Sequence, residues 1–361
     1  MAKRRDKKRR GARTSPPANG KGPANGMKGW LPRPHADKKR IFYLVSNYTG
    51  TGWYRCHVPG TALMRKGDLV VLNHTTSTRD LQYFDVVVFQ TSASPLARDF
   101  IEHANSMGKT TVFEIDDDYW NMTPDNPVYE DWREGDGLMW LRECLQRTQV
   151  VTTTTPYLAK ILRRHHPNVV VLPNMLPEEH WGFERPAHPG KVIVGWAGGT
   201  SHYRDVALLS GTMEQILDDY PQVELWLIGM AEYPFRPHPR IRALESVKIE
   251  QLAEVLVNFD IGLAPLVDNH FTRCKSDLKF LEYAKAGAAV IASPVEPYVH
   301  TIVDGKNGML AASTKDWMRS IIRLIEDADL RAKLALEGRR VADSRGIDAN
   351  IGLWEEAYGI R

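Results

Sequence analysis

The stretch Lys275-Ser276-Asp277-Leu278-Lys279-Phe280-Leu281-Glu282-Tyr283-Ala284-Lys285-Ala286-Gly287, followed by AVIAS at 289–293, decides how this chain folds. It predicts an amphipathic helix, a glycine stop and a short buried strand. Leu278, Leu281 and Ala284 recur at spacings of three and form the inner stripe of that helix. Lys275, Lys279 and Glu282 follow at spacings of four and three, on a neighbouring face. Ammonium groups neutralise a diphosphate, and a carboxylate accepts hydrogen bonds from a ribose diol. Solvated helix faces carry the same residue types joined by weak ion pairs, so the rest of the chain must decide.

Outward from this helix, short apolar runs alternate with stretches of helical period. In the first half the strand candidates are 41–46 (IFYLVS), 69–72, 86–90, 110–115, 150–153 and 169–172, with helices at 96–107 and 156–164. Residues 182–190 (GFERPAHPG) form a polar, proline-rich break. The rhythm then restarts, with strands at 192–196, 223–228, 247–249, 261–266 and 289–292. Helices fall at 205–219, 249–258, 275–285 and 314–327. Most of the strands are continuous apolar runs, as expected of strands covered on both faces. The pattern predicts an α/β protein of two tandem Rossmann-like domains facing a cleft, with ligands at the carboxyl ends of the strands. The expected boundaries are a tail at 1–40, domains at 41–181 and 182–345, and a C-terminal segment at 346–361. The helix expected at 349–358 crosses back onto the first domain.

The 361 residues suffice for two such domains, and 43% hydrophobic with 25% charged residues is ordinary for a globular protein. The net charge of +3 hides an asymmetry: residues 1–40 balance at +12 and the remainder at −9. The basic segment has almost no apolar side chains to bury and is expected to be disordered. Three readings of it stand side by side: a hold on an anionic membrane surface, a hold on nucleic acid, or a solubilising extension without a partner. No apolar run is long enough to cross a membrane, and no secretory signal follows the basic start. Cys56, Cys144 and Cys274 are scattered without metal-type spacing, which fits a cytoplasmic location, peripheral to a membrane if the tail binds one.

The loops after strands carry the remaining chemistry. The first strand runs into NYTGTGWYR (47–55), where Gly50 and Gly52 allow close approach of backbone to a ligand. The turn lacks the third glycine of the dinucleotide fingerprint. The strand at 192–196 runs into AGGTSHYRD (197–205), where Gly198 and Gly199 can approach a phosphate. His202 and Arg204 are placed to add charge there, or to lie on the surface. Asp116, Asp117 and Asp118 follow the strand at 110–115; they suit a divalent cation, an acceptor hydroxyl, or a helix N-cap.

In this order the residues resemble a known family. The Gly-rich turn, Pro173-Asn174, Gly195-Trp196-Ala197-Gly198, DIGLAPL at 260–266, and Lys279-x-x-Glu282-Tyr283-x-x-x-Gly287 with VIAS at 290–293 are similar to GT-B glycosyltransferases of the retaining, family-four-like group. The resemblance spans about 41–358 and is strongest in the second half. It implies that the second domain binds a nucleotide-sugar donor, with Glu282 on the ribose and Lys279 and Lys275 on the diphosphate, assisted by His202 or Arg204. It further implies that Gly198 and Gly199 lie near the phosphates, that the Gly50–Gly52 loop closes over the donor, and that the first domain binds the acceptor. No cofactor or metal is required on this reading. The chain departs from the family in one respect. The usual signature has a second glutamate eight residues before the first, and Cys274 stands there. Some relatives carry a Lys-Ser pair in this region, as Lys275-Ser276 do here, which leaves the donor sugar open. The alternatives are transfer to nucleic acid or to a viral structural protein, a metal-dependent transferase centred on Asp116–Asp118, and a nucleotide-sugar-binding protein without catalysis.

Overall fold

The computed structural model describes residues 38–133 and 135–360; of the basic arm expected to be disordered over 1–40, residues 1–37 lie outside the described residues, while Arg40 opens the first strand. Two sheets of six strands each form the framework, and every pairing is parallel. The first contains β1 (Arg40–Leu44), β2 (Leu69–Asn73), β3 (Val86–Gln90), β4 (Thr110–Glu114), β5 (Val150–Thr153) and β6 (Val169–Val171), in spatial order β2-β1-β3-β4-β5-β6. The second contains β7 (Val192–Ala197), β8 (Val223–Ile228), β9 (Ile241–Leu244), β10 (Ile261–Ala264), β11 (Ala289–Ala292) and β12 (Met309–Leu310), in order β12-β11-β10-β7-β8-β9.

Parallel neighbours need crossovers, and the crossover helices cover both faces. Every residue of VVVFQ, VIVGWA, IGLA and AVIA is accordingly buried. In the first sheet the chain order reverses between β1 and β3. In the second it reverses between β7 and β10. A crevice opens at such a reversal because the loops on either side leave in opposite directions.

Three local expectations are corrected. Residues 247–249 are not a strand; the edge position is taken by Ile241–Leu244, of which only Ile241 is even half-buried. An edge strand needs no continuous apolar run, which is why the pattern missed it, and Val247 and Ile249 are apolar because they pack on the core between domains. The helix expected at 205–219 is two helices, Tyr203–Ala207 and Thr212–Asp219, broken at Gly211 with φ of +73°. The helix expected from 275 begins at Leu278, so Lys275 and Ser276 lie in the loop before it.

Near its end the chain returns to the first sheet. Leu176 and Gly346 form an isolated parallel bridge. Beyond it, Trp354 is buried and Tyr358 accepts a hydrogen bond from the Tyr43 hydroxyl of β1 at 3.2 Å. Short helices at Ile347–Asn350 and Gly352–Ala357 stand where a single helix was expected.

Candidate functional site

The carboxyl ends of both sheets line one cleft with two lobes. The first lobe, about 420 Å3, lies among Asp116, Asn174, Ser276, His202 and Tyr298. The second, about 490 Å3, lies among Gly229, Val247, Lys248, Ile249 and Glu282. Thr49, Gly50, Tyr54, Gly199, Leu278 and Lys279 belong to both and mark the junction.

On the second-domain side, the helix Leu278–Lys285 directs Lys279 into the junction and Glu282 into the second lobe, while Leu281 and Ala284 turn inward. Lys279 Nζ donates to the Ala197 carbonyl at 2.6 Å and lies 5.0 Å from the centre of the Trp196 ring. It makes no ion pair among the described residues. Burial pulls its ammonium below the ordinary lysine range, while Glu282 and Asp205 act in the opposite sense. Glu282 accepts from the Tyr54 hydroxyl at 2.8 Å. Burial raises its carboxyl, and Lys279 and Tyr54 offset part of that rise. The close fit explains Gly198: a Cβ there would come within 2.6 Å of Lys279 Nζ and 2.7 Å of the Trp196 ring.

His202 Nδ1 lies 2.7 Å from Asp205 Oδ2, and Asp205 Oδ1 accepts from the Val267 amide at 2.8 Å. Burial, then Lys279, pushes His202 down to about 4, so the ring is neutral at pH 7. Its Nδ1–H donates to the carboxylate, and Nε2 is left as an acceptor.

On the first-domain side, residues 50–65 run as one helical segment whose middle, Trp53–His57, is a π turn. Such a turn bulges the helix and re-aims its side chains. Two of them, Tyr54 and Arg55, reach the cleft. Arg55 is fully buried and meets Glu114 with two hydrogen bonds, at 2.7 and 3.1 Å. It also donates to Leu172 O and to Asn174 Oδ1, and Asn174 Nδ2 donates to Ser276 Oγ at 2.8 Å. A buried charge pair thus positions the hinge asparagine and, through it, the loop before the key helix.

The three aspartates divide. Asp118 is buried and turns to its own loop, accepting from Trp120 N and Asn121 Nδ2. Asp117 holds Lys275 Nζ at 3.0 Å across the cleft. Burial lowers the Lys275 ammonium, but Asp117 and Asp116 outweigh it and the net shift is upward. Asp116 faces the first lobe, and burial, then Asp117 and Glu114, push its carboxyl up to about 7.

Of the residues singled out from sequence, the cleft brings together Lys275, Lys279, Gly50, Gly198, Gly199, His202, Ser276 and Glu282. Two are elsewhere. Arg204 is exposed and pairs with Asp125 at 3.2 Å. Gly52 serves the turn instead, since a Cβ there would come within 1.8 Å of Asn47 O. Cys274, in the place of the family's other glutamate, is buried; its thiol points to His270 O at 3.2 Å, and burial raises its pKa. Sequence reasoning missed Tyr54, Arg55, Gly229 and the wall formed by 246–249. The one available signal was Glu114, a charge closing an otherwise uncharged strand.

Residues 191–327 match the family model described as Glycosyl transferases group 1. The match lies within the second domain. Among solved structures, the chain is similar to Anabaena HepE in complex with UDP-glucose, at 13% identity and a TM-score of 0.66, covering 89% of this chain and 100% of that one. It is similar to sucrose-phosphate synthase from Thermosynechococcus elongatus, at 14% identity and a TM-score of 0.62, covering 89% and 98%. It is also similar to an alpha-glucosyltransferase in complex with UDP-glucose and DNA containing an abasic site, at 11% identity and a TM-score of 0.64, covering 90% and 99%. No curated protein sequence matches. The architecture of the chain is GT-B. None of its described helices is long and apolar enough to cross a membrane.

Proposed function

We propose that the chain transfers a sugar from a nucleotide-sugar donor to an acceptor hydroxyl, with retention at the anomeric carbon and without a metal. One observation carries the reading: Lys279 is a half-buried cation at the junction of two lobes, with a carbonyl and an indole face for company and, among the described residues, no carboxylate paired to it. Such a charge is costly unless an anion joins it. A diphosphate at the junction supplies that anion, within reach of the Gly199 and Gly50 backbone. The nucleoside then fills the second lobe, its base against Val247, Ile249 and Leu252 and its ribose on Glu282. The sugar fills the first lobe, beside Asp116, Asn174 and His202. HepE, with UDP-glucose bound on the same fold, supports this placement.

The difficult step is departure of the nucleoside diphosphate. As the bond from the anomeric carbon to the phosphate oxygen breaks, charge grows on that oxygen, and a fixed ammonium stabilises the transition state more than the ground state. The acceptor oxygen forms the new bond on the same face, and its proton passes to the departing phosphate. No separate general base is assigned. Water is kept out by closure of the Gly50 loop.

The test is release of nucleoside diphosphate from a panel of nucleotide sugars. Lys279→Ala should lower release by about 10²–10³-fold while the protein stays folded; near-normal release in that variant would refute the assignment. A second reading, with nucleic acid as acceptor, is favoured by the +12 balance of residues 1–40. The DNA held by the alpha-glucosyltransferase structure is in keeping with it. Its test is a salt-sensitive gel shift that disappears when residues 1–37 are removed.

A further inference from the structure

A third cavity, of about 260 Å3, opens beside the sugar lobe and shares Thr154 and Lys275 with it. Both domains contribute. Thr154 and Tyr157 follow β5, Pro173 follows β6, and Pro297 and His300 follow β11. We infer that this cavity is the acceptor subsite and that it takes a neutral saccharide ring; the inference rests on the donor reading above.

Size is the first argument. Ordinary ligand pockets start at about 300 Å3, so this one has room for a single small unit, not for a polymer groove. The second is the nature of the apolar wall: Pro156, Pro173, Pro297 and Tyr157 present rings to the cavity. Flat apolar faces suit the C–H face of a pyranose.

The third argument is charge. Each cation at this cavity already has a carboxylate. Arg273 holds Asp268 at 2.6 Å, Arg345 holds Asp277 at 3.1 Å and Lys275 holds Asp117 at 3.0 Å, while His300 Nε2 lies 3.0 Å from Glu296 Oε1. A phosphorylated acceptor would need an uncommitted cation. Paired charges offer donors and acceptors side by side, and a hydroxyl, which does both, is matched by such a lining.

The fourth is unfinished hydrogen bonding where the two cavities meet. Thr154 is 4% exposed, and its Oγ1 has no partner. On the far wall of the third cavity, Arg345 Nε is likewise buried and unpartnered. Orphaned buried polar atoms are rare and call for a partner that the chain itself does not supply.

The experiment supplies wild-type protein with a panel of nucleotide sugars and three kinds of acceptor: methyl glycosides, a serine peptide, and a single-stranded oligonucleotide. Transfer to a methyl glycoside is expected. Tyr157→Ala, at a half-buried position, and His300→Ala, at an exposed one, should then raise the KM for that glycoside by about tenfold, the effect of losing one aromatic or polar contact, while the donor KM holds. Donor hydrolysis in water, with transfer only to the peptide or the oligonucleotide, would overturn the saccharide subsite and leave the donor reading standing. So would a glycoside KM unmoved in both variants. No diphosphate release from any donor would overturn both.

Discussion

The hydroxyl of Tyr54 donates to Glu282 Oε1 at 2.8 Å, tying the helical segment after β1 to the helix before β11 across the cleft. Glu282 is therefore held in place before any ribose reaches it. A hydrogen bond to a charged group contributes about 1.5–3 kcal/mol. Tyr54→Phe should raise the donor KM by roughly tenfold with kcat little changed, and Glu282→Ala should raise it further. Initial-rate kinetics decide the matter. A collapse of kcat at constant KM in Tyr54→Phe would move Tyr54 from holding the ribose anchor to the chemical step.

Lys279 and Gly198 should behave as one unit. Lys279→Ala removes the cation from the leaving group and should lower kcat by about 10²–10³, or 2.7–4 kcal/mol. Gly198→Ala keeps the lysine but puts a methyl where its Nζ and the Trp196 ring now lie, at 2.6 and 2.7 Å. The ammonium must then leave the Ala197 carbonyl, and kcat should fall by a similar factor. Circular dichroism and melting temperature for Lys279→Ala should match the parent. Full activity in Gly198→Ala would show that the position of the ammonium is not critical.

Asp116 and Lys279 set the pH profile. Asp116, pushed up to about 7 by burial and its acidic neighbours, is ionised above that pH. A carboxylate beside the sugar lobe favours the positive charge that develops at the anomeric carbon, so kcat/KM should rise with pH through about 7. Asp116→Asn should flatten that limb. Lys275 lowers the Asp116 pKa, so Lys275→Ala should move the limb to higher pH. On the alkaline side, activity should fall as Lys279 loses its proton, below the ordinary lysine value of about 10.4. His202, at about 4, adds no limb between. A profile unaltered by Asp116→Asn would remove that residue from the reaction.

The two glycines of the first loop separate folding from binding. Gly50 has nothing within 4 Å of where a Cβ would stand, whereas at Gly52 the Asn47 carbonyl is 1.8 Å away. Gly52→Ala should therefore lower the melting temperature. Gly50→Ala should leave it unchanged and still weaken donor binding, because the added methyl faces the junction where the diphosphate is placed. Unchanged donor KM in Gly50→Ala would mean that this loop does not approach the ligand.

How far the sequence could be read follows from which forces are local. Strands such as 86–90 and 192–197 are apolar throughout because both faces are covered, and that leaves a mark in the chain itself. The exposed edge strand Ile241–Leu244 and the two-residue strand β12 leave none. Within the site, Lys279 and Glu282 were legible because one helix turn puts them together. Lys275 was chosen on the same helical spacing, yet it reaches the cleft from a loop and is held by Asp117, 158 positions away. Tyr54 and Arg55 were illegible for a related reason: a π turn aims them, and their partners Glu282 and Glu114 belong to other elements.

The three consecutive aspartates give the last prediction. A divalent cation would require several of their oxygens at once. Asp118 is committed to Trp120 N and Asn121 Nδ2, and Asp117, which also lines the sugar lobe, to Lys275, which leaves Asp116 as the uncommitted carboxylate of the three there. Among the described residues, the group with atoms close enough to share an ion is Glu178, Glu179 and Asp348, exposed and lining neither lobe, where Arg65 already bridges Glu179 to Asp348. On the proposed mechanism, positive charge at the leaving group comes from Lys279 instead. Diphosphate release should therefore be the same in excess chelator as without it, and added magnesium or manganese should not raise it. Loss of activity in chelator, restored by manganese, would place a metal between the aspartates and the diphosphate and reduce Lys279 to a secondary role.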